Sequence, residues 1–244
     1  MHEENCFVTL TYDTQNLPYL GSLVPKHLSD FIKRLRRRYD GRKIRYLACG
    51  EYGEELQRPH YHACLFGVDF SKDRYLWSES NNHPLYRSRS LETLWPYGHS
   101  TIGEMTRQTA AYTARYVMKK MTGPNSQEHY ERLDQETGEI AGIEREFVRA
   151  SLRPGLGYDW FKKYSRDVYP HDFVVVDGKK EKPPRYYDKL LERENPALME
   201  KILKDREDYA ELHQEDNTPR RLEDREHCQN VRLKQLHRRY ELDS

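Results

Sequence analysis

The chain has 244 residues, of which 33% are charged and 36% hydrophobic, and its formal net charge is +1. That composition supports one large domain, or one domain with an extension, built on a modest core with a wet, charged periphery. No apolar run reaches membrane-spanning length, no secretory leader opens the chain, and the four cysteines (Cys6, Cys49, Cys64, Cys228) form no Cys-x-x-Cys pair, so neither a membrane span, a disulfide framework nor a zinc knuckle is expected.

In chain order, Cys6 to Tyr12 alternates and is rich in β-formers, which predicts a strand with Phe7, Thr9 and Thr11 on one face and Val8, Leu10 and Tyr12 on the other. A turn-rich loop follows to Ser22. From Pro25 the apolar positions Leu28, Phe31, Ile32, Leu35 and Tyr39 fall at helical spacing, with Pro suited to the first turn and Gly41 to the stop. The other face of this helix and the residues after it carry Lys33, Arg34, Arg36, Arg37, Arg38, Arg42 and Lys43 against Asp40 alone. Solvated helix faces usually mix signs, so a one-sign cluster points to phosphate contacts and marks these residues as candidate DNA-binding positions.

Ile44 to Cys49 and His60 to Phe66 read as two strands joined by a polar loop holding Gly50, Gly53 and Pro59, an antiparallel hairpin. Alternation puts His60 and His62 on one face, and folding of the hairpin brings Glu51 back toward them. Two imidazoles and a carboxylate make a three-ligand site with positions left open for water or substrate. In a chain with 11 histidines a His-x-His spacing alone is weak, and a structural pair of half-exposed histidines is the alternative.

Val68 to Gly98 reads as irregular, with a short helix over Leu91 to Trp95, and interleaves Trp77, Tyr86, Trp95 and Tyr97 with Arg74, Arg87 and Arg89. Ser100 to Met105 reads as a strand. Thr106 to Met121 predicts a helix ended by Thr122-Gly123-Pro124. At 100° per residue, Tyr116 and Lys119 lie within about 40° of Tyr112 and Lys120 at about 80°, while Ala110, Ala114, Val117 and Met121 form the opposite stripe. Tyr112 and Tyr116 make the one Tyr-x-x-x-Tyr spacing in the chain, about 6 Å apart along the axis. Asn125 to Ile143 is loop-like with a turn at Thr137-Gly138, Tyr158 to Tyr164 a short helix, and Phe173 to Val176 opens a hairpin through Asp177-Gly178. Past Pro183-Pro184 acids and bases fill nearly half the positions. Asn195-Pro196 starts a helix with Leu198, Ile202 and Leu203, and another is predicted over Arg221 to Tyr240. The expected division is a domain over 1–190 and a charged helical extension over 191–244 that packs weakly or binds a partner.

A metal site on a strand and a tyrosine pair on a later helix define a chemistry. A tyrosine hydroxyl is a poor nucleophile at its usual pKa near 10, yet it can attack a phosphodiester whose charge a cation neutralises. The product is a 5′-phosphotyrosine and a free 3′-hydroxyl, a link that keeps the bond energy for later rejoining. A second tyrosine one turn away can attack the new junction, and Lys119 or Lys120 can lower a tyrosine pKa or neutralise the phosphate.

Phe7-Val-Thr-Leu-Thr-Tyr12, Gly50-Glu51-Tyr-Gly53, Arg58-Pro-His-Tyr-His62, Ala111-Tyr-Thr-Ala-Arg-Tyr-Val-Met-Lys-Lys120, Ser151-Leu-Arg-Pro-Gly-Leu-Gly-Tyr-Asp-Trp160 and Pro183-Pro-Arg-Tyr-Tyr-Asp-Lys189 together resemble the HUH endonucleases. The order is that of the replication initiators of microviruses, in their gokushovirus branch, and the match extends over residues 1 to about 190. The resemblance implies an α+β fold with a central antiparallel sheet flanked by helices, of the RNA-recognition and polymerase-palm kind. It implies Mg²⁺ or Mn²⁺ held by His60, His62 and Glu51, with Tyr112 and Tyr116 as alternating nucleophiles. The substrate it implies is a single-stranded or supercoiled viral DNA origin, nicked in rolling-circle replication in the host bacterial cytoplasm, with host helicase or polymerase as partners and no membrane.

Two rivals belong to other classes. A non-catalytic single-stranded nucleic-acid-binding module of RNA-recognition type would use the same sheet and the basic helix, but has no need of Glu51, His60, His62 and two tyrosines together. An Fe(II) oxygenase suits two His and a carboxylate, but leaves the tyrosine pair and the basic helix without a role.

Overall fold

The computed structural model describes residues 2–235 other than 54, 55, 81, 82, 120–122, 124, 125 and 170, and for residues 80, 83, 116–119, 233 and 234 the backbone alone. The chain divides into two compact units, residues 1–152 and 153–244. The boundary expected at residue 190 falls within a continuous helix, Arg185–Glu194.

The first unit is α+β. Its strands are β1 (Asn5–Tyr12), β2 (Arg45–Tyr52), β3 (Pro59–Phe66), β4 (Arg74–Ser80), β5 (His83–Ser88) and β6 (Gly98–Gly103), with helices α1 (Pro25–Arg38), α2 (Arg89–Leu94) and α3 (Arg107–Lys119) between and after them. A short α4 (Ser126–His129), a β7–β8 hairpin (Glu131–Leu133, Ile140–Gly142) and β9 (Phe147–Ala150) complete it. Seven strands form one sheet in the order β4-β5-β6-β1-β3-β2-β9, and every pairing is antiparallel.

Alternation along β1 decides what lies on each side of this sheet. Val8, Leu10 and Tyr12 are fully buried with Tyr61, Ala63, Leu65 and Ile102, and the stripe Leu28, Phe31, Ile32 and Leu35 of α1 closes over them. Polar groups at this interface are satisfied: the Tyr12 hydroxyl lies 2.8 Å from that of Tyr61 and 2.7 Å from Nδ1 of His27, and Val24 N donates to Tyr61 Oη at 2.8 Å. The opposite face of β1 carries Phe7, Thr9 and Thr11, and α3 packs there against β2, β3 and β9.

Three local readings change. β2 runs on through Gly50 and Glu51 to Tyr52. Glycine fits there because a Cβ would meet the Phe147 ring at 2.8 Å and Leu23 at 3.1 Å, so β9 and the core close on that position. Val68 to Gly98 is largely ordered into β4, β5 and α2, the Ser88 hydroxyl accepting from Leu91 N at the start of α2. Asn125 to Ile143 contains α4 and the β7–β8 hairpin, whose turn includes the expected Thr137-Gly138.

The second unit holds α5 (Tyr158–Val168), a β10–β11 hairpin (Val174–Val176, Lys179–Glu181) turning at Asp177-Gly178, α6 (Arg185–Glu194), α7 (Pro196–Leu212) and α8 (Pro219–Lys234). Phe161, Val168, Tyr169, Leu190, Leu191, Met199 and Ile202 form its own core. Asn195 caps α7, accepting from Leu198 N at 3.1 Å, as Asn-Pro predicts. Arg206 on α7 binds both Asp172 and Asp188, tying the helix to α6. Among the described residues no helix is long and apolar enough to cross a membrane.

Candidate metal centre

Register builds the centre. β2 and β3 pair with Glu51 opposite His60 and Cys49 opposite His62, and β1 pairs with β3 so that Thr9 faces His62 and Thr11 faces His60. Directly paired residues share a face, so Glu51, His60, His62, Thr9 and Thr11 all lie on the side opposite α1. Glu51 Oε1 is 2.7 Å from Nε2 of His62 and 3.4 Å from Nε2 of His60. One ligand atom from each residue lies within 4.8 Å of the others, a group that could hold a metal ion.

The electrostatics fit that donor set. The Glu51 side chain is fully buried and faces the two imidazoles. Burial pushes the carboxyl up, but the hydrogen bonds and charges of His60 and His62 outweigh it and hold Glu51 down at about 2. A buried carboxylate facing two imidazoles is the environment a divalent cation requires. Thr9 Oγ1 lies 3.0 Å from Nδ1 of His62. An imidazole engaged through Nδ1 presents Nε2, here the nitrogen aimed at Glu51, as its ligand atom.

α3 brings Tyr112 to the same place. The Tyr112 ring is buried, edge-on to His62 at 5.3 Å between centroids and to Phe7 at 6.4 Å. Thr113 beside it meets Cys64 Sγ at 3.4 Å, which fixes the roll of the helix on β3. The tyrosine side of α3 is therefore its packed side: Thr109, Tyr112 and Thr113 are buried, whereas Ala111 and Ala114 are exposed. The small stripe read from the sequence does not form the contact at Ala114, because the sheet offers a His and a Phe ring to an aromatic partner there. Tyr116 and Lys119 follow on α3 with side chains outside the described atoms, and Lys120 lies outside the described residues.

The basic cluster lies elsewhere. Lys33, Arg34, Arg36, Arg37 and Arg38 belong to α1, across the sheet from the metal triad. Arg34 donates to Leu94 O at 3.0 Å, Arg36 reaches Ile44 O at 3.4 Å, Lys33 pairs with Asp30 at 3.3 Å and Arg42 pairs with Glu4. Arg36, Arg37, Arg38 and Lys43 are exposed. Thr9 and His99 are residues of the metal face that the sequence did not single out. Strand pairing supplies the signal: Thr9 faces His62 on β3 and Thr101 on β6, and Thr11 faces His60 and His99.

Known proteins supply the remaining context. The family model described as replication-associated protein ORF2 matches residues 5–121, which hold the triad and Tyr112. Replication-associated protein ORF2 of Spiroplasma virus 4 is 34% identical over 203 residues, 79% of this chain and 59% of that protein. Replication-associated protein ORF4 of Chlamydia phage 1 is 33% identical over 79% of this chain and 47% of its own length. Replication-associated protein VP4 of Bdellovibrio phage phiMH2K is 28% identical over 80% and 60%. The chain thus spans less than two thirds of the length of each of these relatives. No solved structure matches it. Carrying its histidine pair, carboxylate and tyrosine within the matched segment, the chain belongs to the ORF2 family of viral replication-associated proteins.

Proposed function

We propose that this chain is a site-specific DNA endonuclease and strand transferase of the HUH, two-tyrosine type, which nicks one strand at a viral origin to start rolling-circle replication and later rejoins the ends. The observation that carries the reading is the juxtaposition of Glu51, His60 and His62 with the Tyr112 ring on one face of the sheet. When bound there, Mg²⁺ or Mn²⁺ would neutralise charge on the scissile phosphate and make it a better electrophile.

The chain's own residues do the rest. Tyr112 Oη attacks the phosphorus and gives up its proton to solvent. The phosphorus–O3′ bond breaks, the departing oxygen takes up a proton, and Tyr112 keeps the 5′-phosphate. Tyr116, one turn on, repeats the attack at the regenerated junction while the first link is held. Lys119 and Lys120 supply positive charge beside the pair. Lys33, Arg34, Arg36, Arg37, Arg38, Arg42 and Lys43 contact phosphates away from the cut, on the α1 side. The metal face lies wholly within residues 1–152, so the initiator domain, taken as 1–190, has its catalytic part there and leaves 191–244 as a charged extension. The origin is bound as single-stranded or supercoiled DNA in the host bacterial cytoplasm, with host helicase and polymerase extending the freed 3′ end.

Incubation with circular single-stranded viral DNA and Mn²⁺ tests this. The expected product is linear DNA attached to protein through a bond that survives denaturing electrophoresis. DNA bound but never cut, under any divalent cation, would favour the non-catalytic binding module.

A further inference from the structure

α3 covers the metal face over β2, β3 and β9. Beyond them the face continues across β1, β6, β5 and β4 without a helix packed on it among the described residues of the first unit. The register names what it displays. Thr11 pairs with both His60 and His99, and Thr9 with both His62 and Thr101, so two polar rows run from the triad across β1 onto β6. His99 is exposed and Thr9, Thr11 and Thr101 half-buried. The next strand follows on: a Cβ at Gly103, opposite Phe7, would lie 3.8 Å from Leu85 of β5, which puts Leu85 and, two residues on, Arg87 on this face. Tyr75 of β4 pairs with Arg87, and the Arg87 guanidinium lies 4.7 Å from the Trp77 ring centroid.

The rim of this face is unusual. Tyr75, Leu76 and Trp77 are 51%, 56% and 57% exposed on the edge strand of the sheet. Natural sheets blunt their edges, so three large apolar side chains in a row on an edge require an occupant. The candidates are a second copy of the chain paired at β4 or a strand of nucleic acid. Continuity with the metal face favours the second. From β3 to β4 is four strand spacings, about 19 Å, the reach of roughly three nucleotides. Thr and His donors along the way suit a phosphate backbone. Tyr and Trp at the end suit unstacked bases, with Arg87 as the cationic partner.

We infer that this open half of the sheet is the track for the single-stranded segment next to the cut, its backbone crossing at His99 and its bases stacking on Tyr75 and Trp77 at the edge hairpin. The inference rests on the proposed DNA-cleaving function for its substrate class. It adds a direction, because the strand leaves the metal triad toward β4 and not toward β9.

The test compares wild type with Tyr75→Ser/Trp77→Ser in fluorescence anisotropy with a short labelled oligothymidylate, alongside Trp77→Phe in tryptophan quenching. Both sites are exposed, so the variants should melt like wild type. The expected result is about a tenfold or greater loss of affinity in the double variant, and loss of most DNA-induced quenching in Trp77→Phe, since Trp95 is buried. Unchanged affinity and quenching would overturn the track. So would a wild type that sediments as a dimer and a double variant that is monomeric with affinity intact, which would assign the edge to a second copy. A wild type whose Trp77 responds to the oligonucleotide but which forms no covalent adduct keeps the track and removes the nuclease reading, so the two fail separately.

Discussion

Thr9 Oγ1 lies 3.0 Å from Nδ1 of His62, reaching across the β1–β3 pair to hold the imidazole whose other nitrogen faces Glu51 at 2.7 Å. A partner of this kind fixes the orientation of a metal-binding imidazole, and its removal typically costs about 10- to 100-fold in metal affinity. Thr9→Val keeps shape and β-propensity and removes only the hydroxyl. We expect Mn²⁺ affinity, measured by calorimetric titration, to fall by that order, with Thr9→Ser near wild type. Equal affinity in Thr9→Val and wild type would show that His62 needs no such support.

The triad itself predicts a linkage. A cation that binds the folded protein and not the unfolded chain raises stability with concentration. Mn²⁺ should therefore raise the melting temperature of wild type in a dose-dependent way. His62→Ala should lose that response and all cleavage while binding single-stranded DNA within a few-fold of wild type, because affinity comes from phosphate contacts elsewhere. Robust Mn²⁺-dependent nicking by His62→Ala would remove the assignment.

The α1 cluster is tested by salt. Neutralising Arg36, Arg37 and Arg38 together should weaken binding and flatten the log–log dependence of affinity on salt by roughly 0.7 for each single-strand phosphate that is no longer neutralised. Arg36 already reaches Ile44 O and stacks over Tyr46, so Arg37 and Arg38 should carry more of the effect. A slope that does not move would make the cluster a solvated face.

Gly50 predicts a packing effect next to the site. A side chain there would press on Phe147 at 2.8 Å and on Leu23 at 3.1 Å. Overpacking of this kind costs about 1–3 kcal/mol. Gly50→Ala should therefore lower the denaturant midpoint, and Phe147→Leu in the same chain should recover part of the loss. A midpoint equal to wild type would mean that β9 yields freely.

The parts legible in the sequence were those whose pattern had one physical cause. β1 and α1 declared themselves because one face of each is buried in the same core, and alternation on β3 was enough to join His60 and His62. The rest depended on partners distant in sequence. β4 shows no clean alternation, since Tyr75, Leu76 and Trp77 are all exposed and the register shifts between Leu76 and Ser78. The roll of α3 was set by His62, Phe7 and Cys64 on the sheet and not by its own alanines. Thr9 became a partner of His62 only once the β1–β3 register was known. In the second unit Pro183-Pro184 read as a boundary, whereas the helix that follows buries Leu190 and Leu191 in that unit's own core.

If the two tyrosines alternate, Tyr112→Phe and Tyr116→Phe should each keep a first cut on a short oligonucleotide and each fail in coupled cutting and rejoining on a two-site substrate. The double variant should form no adduct. Since only hydroxyls are removed, folding should change little. A Tyr112→Phe that loses all cleavage beside a Tyr116→Phe that behaves as wild type in both assays would leave a single-tyrosine site.

The most direct measurement is mass mapping of the covalent adduct formed by wild-type protein with origin DNA. Arg115 separates the two tyrosines, so trypsin places Tyr112 in the peptide 108–115 and Tyr116 in the peptide 116–119. The account predicts nucleotide on the 108–115 peptide through Tyr112, the residue packed against His62, and a second population on 116–119. Nucleotide attached to neither peptide, with strand cleavage intact, would contradict it.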